Sequence, residues 1–142
     1  MREIKFRGKR IDSGEWVYGG IIQYGDYVAI IQHSDYHGWH TFIEVDPATV
    51  GQFTGLRDKN RREIFEDDLL QSPVGAMYIW QVKFEDGAYI LEQINGLKKR
   101  EKRGHVQDFC CEDVIELYQL VKIGNIHDNP ELLRCVVIRN CP

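Results

Sequence analysis

The chain predicts a mainly β fold: an N-terminal antiparallel meander, then a C-terminal SH3-like, partly closed barrel, with one or two short helices. Three observations carry that prediction. Apolar and polar residues alternate over short runs, as in Ile4-Lys5-Phe6-Arg7, which is the period of a half-buried strand. Turn residues such as Asp12-Ser13-Gly14 and Gly25-Asp26 punctuate those runs at close spacing. Asp86-Gly87 lies between the strand-like runs Ala76 to Glu85 and Ala88 to Ile94, and that dipeptide suits a type I′ hairpin. The barrel comparison is an analogy drawn from several short, closely spaced strands.

In order, Ile4 to Arg10 reads as a strand, followed by a three-residue loop with Gly14 at its left-handed position. Trp16, Tyr18, Ile22 and Tyr24 then share one parity, and Gly19-Gly20 marks a bulge or bend. Tyr27 to Ile31 is nearly all apolar, as a strand covered on both faces would be. Thr41 to Val45 returns as a strand after the polar and aromatic loop from His33 to His40. Two halves follow from this reading, 1–53 and 54–142, joined by a charged corner between Gly51 and Leu70. In the second half a two-residue turn at Asp86-Gly87 sets Phe84 opposite Tyr89 and Val82 opposite Leu91. Glu112 to Tyr118 reads as one or two helical turns or the start of a strand, and Tyr118 to Ile123 favours strand. Asn129-Pro130 reads as a cap and first helical residue, opening a short helix.

Composition narrows the classes. A chain of 142 residues, 43% hydrophobic and 28% charged, has ordinary globular values and length enough for a real core. A net charge of −4 gives no general attraction to nucleic acid or to acidic membranes. No apolar run approaches a membrane span, and the alternating start lacks a signal-peptide core, so a cytoplasmic location is expected. In that compartment Cys110, Cys111, Cys135 and Cys141 stay reduced, and with no CxxC pair among them they read as free thiols rather than a zinc site.

Four ordered blocks carry a family resemblance. They are Arg2 to Lys9 with Gly14 to Gly19, Thr49 to Leu56 with Asp58-Lys59-Asn60, Glu63 to Asp68, and Ile123 to Leu133. Together they resemble the YopX family of small proteins encoded by bacteriophages and prophages. The resemblance implies a phage-derived protein working in a bacterial cytoplasm as a homo-oligomer, and it implies no activity. In one departure, Asp67 stands where the family pattern Glu-Gly-Asp has glycine, so the family pattern alone does not carry a positive φ to this corner, although aspartate tolerates that region better than most residues.

Candidate chemistry is sparse. His33, His37 and His40 fall within one loop, but Gly38 and the flanking aromatics oppose a helix that would align them, so a polar loop is the favoured reading over a metal site. Glu66, Asp67 and Asp68 read as an exposed acidic turn able to pair with Arg61 and Arg62 rather than as a cation site. Lys98, Lys99, Arg100, Lys102 and Arg103 form a basic run that could grip phosphates, with Trp80 or Tyr89 to stack on bases; a solvated loop is the bland alternative. Cys110 and Cys111 beside His105 and Asp108 imitate a thiol nucleophile with nothing to lower its pKa. No hydrolase elbow, metalloprotease helix, phosphate loop or dinucleotide fingerprint occurs, and no cofactor is expected. The expected function is a non-enzymatic accessory protein that binds a phage or host macromolecule and self-associates. The alternatives are a nucleic-acid binder using the 98–103 loop and an enzyme with a His and carboxylate site.

Overall fold

The computed structural model describes residues 2–73, 78–94, 107–108, 115 and 118–133. They build a mainly β protein of two antiparallel sheets, partly curled and not closed into full barrels. The chain divides into two compact units, Met1–Gly55 and Leu56–Pro142.

In the first unit β1 (Phe6–Lys9), β2 (Trp16–Tyr24), β3 (Tyr27–His33) and β4 (His40–Glu44) form the expected meander. A short 3₁₀ turn at Pro47–Thr49 leads into β5 (Gly51–Arg57), which returns to lie beside β1, giving the order β4-β3-β2-β1-β5. The β1–β2 loop is one residue longer than expected. Arg10 donates to the Glu15 carbonyl at 2.9 Å, which leaves four residues between them, with Gly14 left-handed at φ 72°. At Gly19-Gly20, β2 changes partner: Trp16 to Gly19 pair with β1, and Gly20 to Tyr24 pair with β3. A Cβ on Gly19 would overlap the Ile31 carbonyl oxygen, so the bend needs a residue without one.

The sheet also curls onto itself. Arg10 pairs with Val45, Ile11 donates to the Glu44 carbonyl at 3.3 Å and Asp46 to that of Lys9 at 2.8 Å. One end of β4 is thereby joined to the end of β1. Gly8 makes room for this closure, since a Cβ there would come within 2.8 Å of a Val45 methyl. Val17, Val28, Ile30 and Val45 form the enclosed core, with Phe6, Ile21 and Ile43 packed against it. The buried parity of β2 is therefore Val17, Gly19 and Ile21, opposite to the aromatic parity of Trp16, Tyr18 and Tyr24.

The second unit holds β6 (Glu63–Phe65), β7 (Asp68–Gln71), β8 (Ile79–Glu85), β9 (Ala88–Gln93), β10 (Gln107–Asp108) and β11 (Val121–Asn125). β6 follows β5 in the strand order, and the remaining five form a sheet in the order β10-β9-β8-β7-β11. The β8–β9 hairpin has the expected register, with Val82 opposite Leu91 and Phe84 opposite Tyr89. Its turn residues Asp86 and Gly87 have φ of 51° and 82°, as type I′ requires. Ile64, Leu70, Val82, Leu91, Ile115 and Leu120 make the core, and Trp80 and Tyr89 pack against it. Ile115 and Tyr118 are helical, Gln119 turns with φ 51°, and the strand begins only at Val121, three residues later than expected. Pro130 opens the short helical turn that Asn129 caps, with Leu132 donating to the Asn129 carbonyl at 3.1 Å.

The acidic corner turns at Asp67. Asp67 does adopt a positive φ, 68°, although it is not glycine. Two backbone bonds impose that conformation. The Asp67 N–H donates to Val82 at 2.8 Å, and its carbonyl accepts from Ile126 at 3.1 Å.

Candidate interaction surface

Antiparallel register decides which side chains share the outer face of the first sheet, because residues directly opposite one another project together. Trp16 opposes Lys9, Tyr18 opposes Arg7, and Tyr24 opposes Tyr27 across Gly25-Asp26. Gly20, Ile31 and Phe42 form one row across three strands, and His33 opposes His40. On this face Tyr18 is 42% exposed, Tyr24 73%, Tyr27 42% and Phe42 54%. The loop between β3 and β4 adds Tyr36 at 77% and Trp39 at 71%. Isolated exposed apolar residues need no explanation, but aromatic side chains gathered on one sheet face make that face the candidate interaction surface.

Towards β1 and β5 the same face becomes cationic and closes over. Arg7, only 2% exposed, stacks 4.5 Å from the Trp16 ring centre, with Lys9 5.4 Å from the same ring. Lys5 lies 5.4 Å from the Phe53 ring. Each such contact is worth about 0.5–2 kcal/mol, increasing with desolvation. These cations are committed to rings of their own sheet, which leaves the exposed tyrosines and Phe42 as the accessible part.

The edge beside that face is β4, the last strand in the sheet order. Ser34 donates to Trp39 at 2.8 Å and Val45 to Val28 at 3.0 Å. With His33 opposite His40, these bonds fix the alternation: Thr41 and Ile43 turn their backbone groups towards β3, and His40 and Phe42 turn theirs outward.

Elsewhere the expected site residues serve the fold. Asp68 is fully buried rather than exposed, and its Oδ2 accepts from the Phe65 N–H at 2.7 Å and pairs with Lys122 Nζ at 3.1 Å. Asp58, also buried, accepts from the Arg62 and Lys122 N–H groups at 2.8 and 2.9 Å. Asp67 takes Gln81 at 3.1 Å, with His127 Nε2 at 3.6 Å from its other oxygen. Lys122 and His127, rather than Arg61 and Arg62, are thus the partners found at this corner. Carboxylates occupied by fixed backbone donors are poorly placed to collect a cation or to act as bases. Among the described residues no three His, Cys, Asp or Glu side chains gather as a metal site.

Of the loop histidines, His33 and His40 come together, with ring centres 5.0 Å apart, while His37 packs edge-on against Tyr36. Lys98, Lys99, Arg100, Lys102 and Arg103 lie outside the described residues, as do all four cysteines and His105. Trp80 and Tyr89, suggested as stacking platforms, are half-buried on the second core. No described helix is long and apolar enough to cross a membrane. The aromatic parity of β2 was visible in the sequence. What sequence reading missed is that Tyr27 and Phe42 join it, although the Gly25-Asp26 turn places Tyr27 directly opposite Tyr24.

The Ile123 to Leu133 block is also structural in its described detail. Asn125 Oδ1 accepts from the N–H groups of His127 and Asp128 at 2.9 and 2.8 Å, and its own N–H donates to Asn129 Oδ1 at 3.2 Å. A Cβ on Gly124 would overlap that same Asn129 oxygen. The YopX protein family model matches residues 5–134, most of the length. The chain belongs to the YopX family. It is similar to a solved chain, the crystal structure of protein EF1440 from Enterococcus faecalis, at 25% identity over 94% of this chain and 99% of that one, with a TM-score of 0.55. No curated protein matches it.

Proposed function

We propose that this YopX protein is a phage or prophage accessory protein of the bacterial cytoplasm that binds a macromolecular partner and itself, without catalysis. The observation that carries the reading is the group of exposed aromatic side chains, Tyr18, Tyr24, Tyr27 and Phe42, on one sheet face beside the outward-turned backbone of β4. A pairing strand supplies main-chain hydrogen bonds at such an edge, and the aromatic face supplies apolar contact area. The net charge of −4 favours a protein partner over a polyanion.

The test is sedimentation of the purified chain beside a Tyr24→Glu/Phe42→Glu variant, together with capture from infected cells using each as bait. Wild-type protein should associate reversibly and retain partners that the variant loses. A wild type that stays monomeric at high concentration and captures the same proteins as the variant overturns the reading. A salt-dependent gel shift abolished by neutralising Lys98, Lys99, Arg100, Lys102 and Arg103 would assign nucleic acid as the partner instead.

A further inference from the structure

We propose that His33 and His40 form a two-imidazole chelate for a borderline divalent transition-metal ion of the zinc, nickel or copper class. The argument starts from the ladder. Ser34 to Trp39 and Val45 to Val28 are hydrogen-bonded positions of the β3–β4 hairpin, so His33 and His40, one residue inside the first, form a non-hydrogen-bonded pair. In such pairs the Cα atoms approach to about 4.5 Å and the side chains lie closest together. Both histidines are exposed on the outer face, accessible to an ion from solvent.

The ring separation suits a shared ion. A metal–nitrogen bond of about 2.1 Å plus about 1.1 Å to the ring centre puts two tetrahedrally placed imidazole centres about 5.2 Å apart. The observed separation is 5.0 Å, with the rings tilted by 49°. Imidazole nitrogen is a preferred donor for zinc, copper and nickel, whereas calcium and magnesium take oxygen. With two protein ligands the ion keeps open positions for water or an outside donor, unlike a closed structural zinc site. Bound there, it would tie the ends of β3 and β4 together across the loop carrying Tyr36 and Trp39. The alternative role of the pair is a direct aromatic contact, which requires no ion.

Nickel titration of the full chain by calorimetry, with ring-nitrogen NMR, separates the two. One ion should bind per chain at pH 7.5, and His33→Gln or His40→Gln should each weaken it by more than about tenfold, above the lower end of what outer-shell losses cost. His37→Gln should leave affinity unchanged. Paramagnetic broadening of the wild-type ring signals should centre on His33 and His40. Affinity that survives both single variants, or broadening centred on other residues, overturns the site.

Discussion

Asp67 occupies a backbone conformation that an L-residue enters at a cost, φ 68°, because the corner between β6 and β7 must offer its N–H to Val82 and its carbonyl to Ile126 together. Glycine would enter it without penalty. Aspartate recovers part of the penalty through Gln81, 3.1 Å from its carboxylate. Replacing Asp67 with Ala keeps the unfavourable φ and discards the hydrogen bond, whereas Gly discards the bond and removes the strain. Asp67→Gly should therefore be more stable than Asp67→Ala by about 1 kcal/mol, measured by urea unfolding. Equal stability of the two would show that the corner relaxes to another φ. On the first unit Arg10 holds Asp12 through a hydrogen bond of 2.9 Å, and this bond is the main reason the Asp12 carboxyl lies near pKa 2 instead of 3.8. Since the folded pKa is the lower one, the pair's contribution is complete above about pH 4 and disappears as pH falls through 2. Both groups reach solvent, which screens the pair, so NMR titration rather than unfolding is the proper readout. Asp12 should titrate near 2 and return to the ordinary carboxylate range in Arg10→Gln.

At the scale of elements, single positions fix where strands bend and stop. The turn following β11 is cross-braced by Asn125 and Asn129, and Gly124 passes beneath the Asn129 amide too closely for any side chain. Gly124→Ala should cost about 1–3 kcal/mol, the usual penalty of forcing a methyl into filled space. A Tm equal to wild type would mean Asn129 can swing away. Besides its strand pairing, the β6–β7 corner is tied to β11 by the ion pair of Lys122 with the fully buried Asp68. Lys122→Met strands that carboxylate and should cost about 3 kcal/mol, with part recovered in Lys122→Met/Asp68→Asn, which a double-mutant cycle measures. Full additivity of the two would deny the coupling.

For the molecule as a whole, stability resides in two apolar clusters, one in each unit. Ile30→Ala and Leu70→Ala remove fully buried side chains, and each should cost about 2–5 kcal/mol in thermal or denaturant unfolding. Tyr24→Glu and Phe42→Glu touch exposed positions and should change stability by no more than about 0.5 kcal/mol while altering association. Much of the β architecture was legible in the sequence because it is written locally. Asp86-Gly87 dictates a register that needs no distant information, and in the apolar run Tyr27 to Ile31 the central Val28, Ala29 and Ile30 are buried on both parities, whereas Tyr27 is exposed on the outer face. The curl of the first sheet was not legible, since it depends on Arg10 meeting Val45, 35 positions further along the chain. Nor was the burial of Asp68. Its neighbours Glu66 and Asp67 make the corner look solvated, and only the return of Lys122 supplies the compensating charge. The histidine pair was half legible: spacing gathered three candidates, and strand register selected two.

Because Ile11 already occupies the Glu44 carbonyl, the outward backbone of β4 is short, essentially His40 and Phe42. An incoming strand therefore finds roughly four main-chain bonds, each worth about 1 kcal/mol net. That is too little to hold a partner on its own once the entropy of association is subtracted. If the proposed strand partner docks there, its grip comes from the rings flanking the seam, and exchanging a tyrosine or Phe42 would retune residence time without rebuilding the scaffold.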